Sequence, residues 1–209
     1  MALVVAFFFF AAAASGGGHA ALVEHTFVVK LNRLCNETLV NVVNGQLPGP
    51  AIEVVEGDSV VVHVINKSPH GLTIHCLRAS IHGALIIRPR SSSYPFPKPD
   101  HEIPIVIGEW WEMDLVQLDM RLSNGFLFDM PGAATINGKP GDLYSCAGFI
   151  KENNILNVQH GKTYLLRIVN AALDSEYYFK IAEHMLTVVA ADANYVKVYT
   201  TDVITISPG

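Results

Sequence analysis

Short runs of alternating residues recur along most of the chain. In Val60–Ile65 the valines at even positions alternate with Val61, His63 and Ile65, which is the period of a β-strand. Further β-rich runs are HGALIIRP (82–89), EIPIVIGEWW (102–111), TYLLRIV (163–169), MLTVVA (185–190) and DVITIS (202–207). Gly, Pro, Asn and Asp separate these runs. Many short strands divided by turn residues predict an all-β sandwich or barrel.

One arrangement of turns and strand occurs twice along the chain. Asn44-Gly45 precedes a glycine turn and a strand that together span Gly57–Asn66. Asn137-Gly138 precedes a second such unit, which spans Gly161–Asn170. The spacing from the glycine to the final asparagine is nine residues in both copies. Two copies of one supersecondary unit predict two similar β domains.

The first 24 residues predict a secretory signal peptide. Met1–Ala14 read MALVVAFFFFAAAA, an apolar run too short to span a bilayer, and cleavage is expected near Ala20 or a few residues later. No Lys or Arg precedes this run, and a buried N-terminal helix is the alternative interpretation. The predicted organisation is a signal peptide (1–24), a first domain (25–90), a Ser- and Pro-rich linker (91–100) and a second domain (101–209).

Composition supports a folded protein. Half of the residues are apolar and 16% are charged, which excludes a disordered chain. The net charge is −5 and no dense Lys/Arg cluster is present, so we expect no nucleic-acid partner and, beyond the leader, no membrane span. Export makes Asn36 and Asn66 candidate N-glycosylation sites. It also places three cysteines in an oxidising compartment, where an odd number leaves at least one without a partner in the chain.

Several motifs together resemble plant laccases, which are multicopper oxidases with three cupredoxin-like domains. They are VNGQLPGPAIEVVEGDSVVVHVINKS (43–68), SPHGLTIH (68–75), HGALIIRPR (82–90), GEWW (108–111), TINGKPGDLYSC (135–146) and GKTYLLRIVNAAL (161–173). The resemblance covers nearly all of the chain after the signal peptide. It implies an all-β fold of cupredoxin-like Greek-key β-sandwiches, with two incomplete domains of a three-domain multicopper oxidase.

The resemblance also indicates which copper ligands are missing. Laccases hold a trinuclear copper cluster with His-x-His pairs, because residues i and i+2 of a strand project to the same side. This sequence contains no such pair. His75 matches the first histidine of the domain-one pair, but Cys76 and Leu77 follow where the family continues Trp-His-Gly. Leu77–Ser80 resembles a stretch beyond the second pair, so we expect an internal deletion of three of the four domain-one ligands. The chain ends at Gly209, within the second domain, so we also expect the third domain to be missing.

The remaining cysteines and histidines are interpreted through the same resemblance. Cys35 and Cys146 match the family pair that ties domain one to domain two, which implies a disulfide between them. Cys76 has no family counterpart. His70 would face the opposite side of a regular strand from His75, and His82 matches a family position that is not a ligand. We therefore expect no metal site from these histidines, since a stable site needs three or four converging ligands.

The function implied by the resemblance is laccase chemistry, the copper-dependent one-electron oxidation of phenols and lignin precursors coupled to reduction of oxygen to water, in the apoplast or cell wall. With most ligands missing, we assign no catalytic residue and expect the chain to be inactive and not to bind copper stoichiometrically. Two alternatives are a copper-free cupredoxin-like cell-wall binding protein and a non-functional fragment. Loss of a block after His75 is expected to leave unpaired strand edges.

Overall fold

The structure is a computed structural model that describes residues 3–7, 20–34, 38–69, 71, 81–91, 94–112, 117, 120–121, 123–126, 130–141 and 155–209. The strands are β1 (Leu3–Phe7), β2 (Leu22–Leu34), β3 (Thr38–Val43), β4 (Ile52–Val55), β5 (Ser59–Asn66), β6 (Leu85–Arg88), β7 (His101–Trp110), β8 (Ala133–Ile136), β9 (Tyr164–Asn170), β10 (Tyr177–Phe179), β11 (Leu186–Ala191), β12 (Asn194–Thr201) and β13 (Ile204–Ile206). Within these ranges, no helix is long and apolar enough to cross a membrane.

The first unit is built on a four-stranded sheet of order β1-β5-β2-β3. β2 runs parallel to β5 and antiparallel to β3. The valines at alternate positions of β5 form its buried face, where Val62 and Val64 pack with Val29 and Val43. The predicted period of two is thus confirmed, and β4 and β6 pair in parallel as a separate two-stranded sheet.

The N-terminal apolar run contributes a strand rather than a helix where it is described. Leu3–Phe7 pairs antiparallel with β5, with Leu3 opposite Val64 and Phe7 opposite Val60. β5 therefore has a partner on each edge, which differs from the unpaired edges expected after an internal deletion. The signal peptide stays a prediction, since the strand describes the chain before any cleavage.

The second unit repeats this plan on a smaller sheet of order β8-β7-β9. β7 runs parallel to β9 and antiparallel to β8, as β2 does with β5 and β3. Two antiparallel strand pairs, β10 with β13 and β11 with β12, complete the described part of this unit.

Matching hydrogen bonds in the two units confirm the predicted repeat. The side chains of Asn44 and Asn137 accept backbone hydrogen bonds from Val28 (2.8 Å) and Val106 (2.9 Å), respectively. Both asparagines adopt a left-handed backbone, with φ of 52° and 49°. Asparagine tolerates this conformation better than other non-glycine residues, which explains why the same residue type occurs in both turns.

The asparagines that end the two repeated strands are also equivalent. The Oδ1 atom of Asn66 accepts a hydrogen bond from the backbone of Ser68 at 2.8 Å. The Oδ1 atom of Asn170 accepts one from Ala172 at 3.0 Å. Asn170 is buried, and its Nδ2 atom donates to carbonyl oxygens later in the second unit. Each asparagine thus fixes the turn that leaves its strand.

The core continues across the two units. Trp110 at the end of β7 is almost fully buried and packs with Val40 and Val42 of β3. Ile86 of β6 packs with Val106 of β7 in a second shared cluster. Because apolar burial is the main stabilising term in folding, these contacts couple the stability of the two units.

Candidate functional site

Most of the predicted site residues lie outside the described part of the chain. They are the copper-ligand remnant His75, its neighbours His70 and Cys76, the cysteines Cys35 and Cys146, and the glycosylation candidate Asn36. The copper remnant and the disulfide therefore stay predictions. The described residues include positions that flank them in the sequence.

Asn66 precedes the segment that contains His75, and His82 follows it. Asn66 ends β5 and is half-buried, and its side-chain oxygen accepts a hydrogen bond from the backbone of Ser68. On the other side, the backbone oxygen of His82 accepts a hydrogen bond from Gly49 at 2.8 Å. Both residues are thus held by the first unit, and glycosylation of Asn66 stays a prediction.

The imidazole of His82 lies between the two units. A Cβ atom on Gly108 would lie 3.6 Å from His82 Nε2, which places the ring in van der Waals contact with β7. The Nε2 atom is buried and has no hydrogen-bond partner in the described structure. Burial lowers the pKa of His82 below its usual value of 6.5, which favours the neutral ring. Over the described ranges, no three His, Cys, Asp or Glu side chains converge as they would to hold a metal ion.

Glu109 within the GEWW motif organises a loop of the second unit. Its carboxylate accepts hydrogen bonds from the backbone of Leu173 (2.9 Å) and Ser175 (3.2 Å) and from the indole of Trp111 (3.1 Å). The hydroxyl of Ser175 also donates to it. Burial and the charge of Glu109 raise the pKa of Tyr177, although a hydrogen bond with Ser175 opposes them. The resemblance of the GEWW motif did not predict this role, for which the signal in the sequence is an acidic residue inside an apolar strand.

A second carboxylate, Glu102, joins both units and the linker. Its Oε2 atom accepts hydrogen bonds from Arg167 Nε (3.0 Å) and Nη2 (2.9 Å), and Arg88 of β6 donates to the same atom. Tyr94 of the linker donates to Oε1 at 2.6 Å. Arg88 also pairs with Glu53 at 2.8 Å. We call these five residues the Glu102 cluster.

Electrostatics fix the protonation states of the Glu102 cluster. Burial would raise the pKa of Glu102, but the hydrogen bonds from Tyr94 and Arg167 and the charges of Arg167 and Arg88 together lower it. Burial and the neighbouring carboxylate raise the pKa of Tyr94. The hydrogen bond to Glu53 contributes most to a raised pKa of Arg88. Glu102 and Arg88 are therefore charged and Tyr94 is a neutral phenol, which suits a structural joint rather than proton transfer at neutral pH.

In each unit an aspartate holds the start of the parallel strand pair. The aspartate precedes β5 in the first unit, whereas in the second unit it precedes β7, the counterpart of β2. Asp58, just before β5, accepts hydrogen bonds from the backbone of Ala21 and Val55, each at 3.0 Å. Asp100, just before β7, accepts one from Thr163 at 2.8 Å. These backbone hydrogen bonds are the largest contribution to the lowered pKa of each aspartate.

Two family models describe most of the chain. A multicopper oxidase model matches residues 101–209, and a second multicopper oxidase model matches residues 28–86. The two matches correspond to the second and first structural units, respectively.

Curated proteins similar to the chain include plant laccases. Laccase-20 from Oryza sativa subsp. indica is 48% identical over 242 residues, with 91% of this chain and 42% of the relative covered. Laccase-7 from Arabidopsis thaliana is 44% identical, with 91% and 43% covered. The chain thus spans less than half the length of these relatives. Because 91% of 209 residues is about 190, roughly 50 of the 242 aligned positions have no counterpart in this chain.

Solved structures confirm the predicted all-β, cupredoxin-like fold. Fet3p, a multicopper oxidase that functions in iron import, superposes with a TM-score of 0.71 at 20% identity, over 90% of this chain and 44% of that one. Laccase from Botrytis aclada gives 0.66 at 20% identity, over 92% and 46%. Copper nitrite reductase from Nitrosomonas europaea gives 0.65 at 17% identity, over 90% and 81%. At these identities the likeness establishes the fold alone.

Proposed function

The chain belongs to the multicopper oxidase family, and from this membership we propose that it is a secreted laccase relative that keeps a two-unit scaffold without a working copper centre. The family assignment confirms the resemblance drawn from the motifs. We propose that its longer relatives oxidise phenols, including lignin precursors, and use oxygen as the electron acceptor. We propose that the chain as it stands does not catalyse this reaction.

The observation that carries the proposal is the unequal length of the aligned segments. About 190 residues of this chain align with 242 residues of the rice relative, so roughly 50 positions of that relative have no counterpart. This supports an internal deletion, and the break in the motif after His75 is where we propose that it lies. A block of that length would hold several strands of a β domain. It would also hold the three missing domain-one ligands.

The three histidines of the first unit that the structure describes do not fit a multinuclear copper centre. His25 of β2 lies opposite Val62 in the register, whereas His63 lies opposite Thr26, so the two imidazoles project from opposite faces of the sheet. His82 is buried against Gly108 between the units. A copper cluster needs imidazoles that converge from one side, and these three do not. We therefore derive no catalytic step through copper in this chain.

Copper content and oxidase activity of the purified full-length chain test the proposal. We expect well under one copper per chain after loading with copper, and no oxygen uptake with a simple phenol. Stoichiometric copper together with turnover would overturn it. A folded, copper-free chain that binds cell-wall material would instead favour the alternative of a copper-free binding protein.

Sequencing of the transcript provides an independent check on the internal deletion. We expect codons 75 to 77 to be contiguous in the message. A message that contains an additional block with the missing histidines would show that the deletion does not exist in the expressed protein.

We also propose that the protein is exported to the apoplast or cell wall, where oxidising conditions allow the Cys35–Cys146 disulfide to form. N-terminal sequencing of the exported chain tests cleavage near Ala20. Mass spectrometry of peptides without reduction tests the disulfide. The same peptides, treated with a glycosidase, show whether Asn36 and Asn66 carry glycans.

A further inference from the structure

The outer edge of β5 is closed by the N-terminal leader. Five consecutive residues of β1 pair with Val60–Val64, from Phe7 opposite Val60 to Leu3 opposite Val64. The other edge of β5 is paired along its whole length with β2. Removal of the leader would therefore leave one edge of an otherwise central strand without hydrogen-bond partners.

The sequence of β5 gives that edge little protection against other strands. Val60–Val64 contains four valines and His63, with no Lys, Arg, Asp, Glu or Pro. Natural edge strands avoid unwanted pairing by charged residues, proline, bulges or a covering segment. In this chain the covering segment is the leader itself.

The repeat within the chain supplies an internal comparison. β9 is the counterpart of β5, and among the described strands it pairs only with β7. The nine-residue spacing in both units aligns His63 of β5 with Arg167 of β9. Of the two counterparts, β9 has one partner among the described strands and carries Arg167 at the position where β5, which the leader covers, carries His63. Arg167 is itself bound to Glu102 of β7, so the two counterpart strands differ at this position by a charge that is already paired.

We propose that the outer edge of β5 is a strand-accepting surface, which Leu3–Phe7 closes within the chain and which β5 of a second copy closes once the leader is cleaved. Antiparallel pairing of two identical edges about a two-fold axis is self-complementary, so the cleaved chain forms a dimer rather than an open filament. The inference rests on the proposed cleavage of the leader and is independent of copper and oxidase activity.

Proline substitutions in the full-length chain test whether the leader covers the edge. Neighbouring residues of an edge strand direct their N–H groups to opposite sides, so only one of Val4→Pro and Val5→Pro removes a hydrogen bond to β5. In that variant alone, we expect alternate amides of Val60–Val64 to exchange with solvent at least about tenfold faster. Amides that face β2 should keep their protection, and near-ultraviolet circular dichroism should show an unchanged fold. Equal exchange in both variants and the parent would overturn the proposal.

The exported, cleaved chain tests the dimer. We expect light scattering to show a dimer, and His63→Arg, which copies the charge of β9, to give a monomer with the same circular dichroism. A cleaved chain that stays monomeric at about 100 µM, and so has a dimer dissociation constant far above that concentration, would overturn the proposal. If N-terminal sequencing finds Met1 retained, the proposed cleavage fails. In that case Leu3–Phe7 still covers the edge of β5, so the proposal for this edge requires a monomer. A dimer of the uncleaved chain would overturn that proposal.

Discussion

Gly138 lies against the backbone carbonyl oxygen of Leu47 so closely that no Cβ atom fits between them. Gly138 belongs to the second unit and Leu47 to the first, so this contact sets how near the two units approach. The equivalent residue in the first unit, Gly45, has a similar positive φ (80° against 77°), but a Cβ atom added there would meet no other atom within 4 Å. The repeat therefore offers two matched glycines that differ in steric surroundings.

We predict that Gly138→Ala destabilises the protein more than Gly45→Ala. Alanine at either position meets the backbone strain of the left-handed region, about 1–2 kcal/mol. At residue 138 the methyl group also collides with a backbone atom, and we expect a total of roughly 3 kcal/mol or more. Urea denaturation monitored by tryptophan fluorescence measures both values. Equal losses would show that the units can separate slightly at no cost.

Structural features that depend on local sequence patterns can be predicted from the sequence, whereas features that depend on distant pairing cannot. The Asn-Gly turns and the alternating valines of β5 are local patterns, and the fold class and the repeat follow from them. The pairing of Leu3–Phe7 with β5 is not local, because it depends on which sheet edge is open. The apolar run predicts a signal peptide, with a buried helix as the alternative, and neither interpretation includes a strand that pairs with β5.

The charged residues of the Glu102 cluster illustrate the same limit. Arg88 and Arg167 each interrupt an apolar strand, which marks them as unusual. Their common partner becomes apparent only when β6, β7 and β9 are brought together. The copper remnant His75 and the cysteine pair were assigned from resemblance and lie outside the described residues, so their geometry stays a prediction.

We predict that Glu102→Gln lowers the free energy of unfolding by about 1–2 kcal/mol at neutral pH, because two arginines lose their shared carboxylate. The expected loss is modest since Arg88 and Arg167 are partly exposed. Glu53→Gln is the matched control. The Glu53 side chain is 53% exposed and contacts Arg88 alone within the cluster, so we expect a change within about 0.5 kcal/mol. If Glu53→Gln lowered the free energy of unfolding as much as Glu102→Gln, Glu102 would not be the residue that joins the two units.

The same pair of variants has a defined pH dependence. The pKa of Glu102 is lowered in the folded state from its ordinary value of 4.5, so its stabilising contribution is present above that value. The contribution is lost as the pH falls through the folded-state pKa. We therefore expect the stability difference between the parent and Glu102→Gln to shrink below about pH 4.5. A difference that stays constant down to pH 3 would exclude a charged Glu102 as its cause.

His82 gives a separate pH window. Burial lowers its pKa in the folded state, while the unfolded chain binds a proton near pH 6.5. Below that pH the unfolded state therefore gains protons that the folded state does not, and stability falls by up to about 1.4 kcal/mol per pH unit until the folded-state pKa is reached. We predict a smaller loss between about pH 7 and 5 for His82→Gln than for the parent. Identical pH profiles would show that the ring is solvated in the folded state.

Glu109 allows the role of the GEWW motif to be separated from simple packing. Its carboxylate accepts hydrogen bonds from the backbone of Leu173 and Ser175, so removal leaves those donors without their acceptor. We predict that Glu109→Ala costs roughly 2–3 kcal/mol and that Glu109→Gln, which keeps one acceptor oxygen and the side-chain volume, costs less. The distinguishing measurement is hydrogen exchange at the amides of residues 173 and 175. These amides should lose protection in Glu109→Ala and regain part of it in Glu109→Gln, while amides of β2 and β3 in the first unit stay protected. A uniform loss of protection across both units would mean that Glu109 acts on global stability, and the loop would then not depend on this carboxylate.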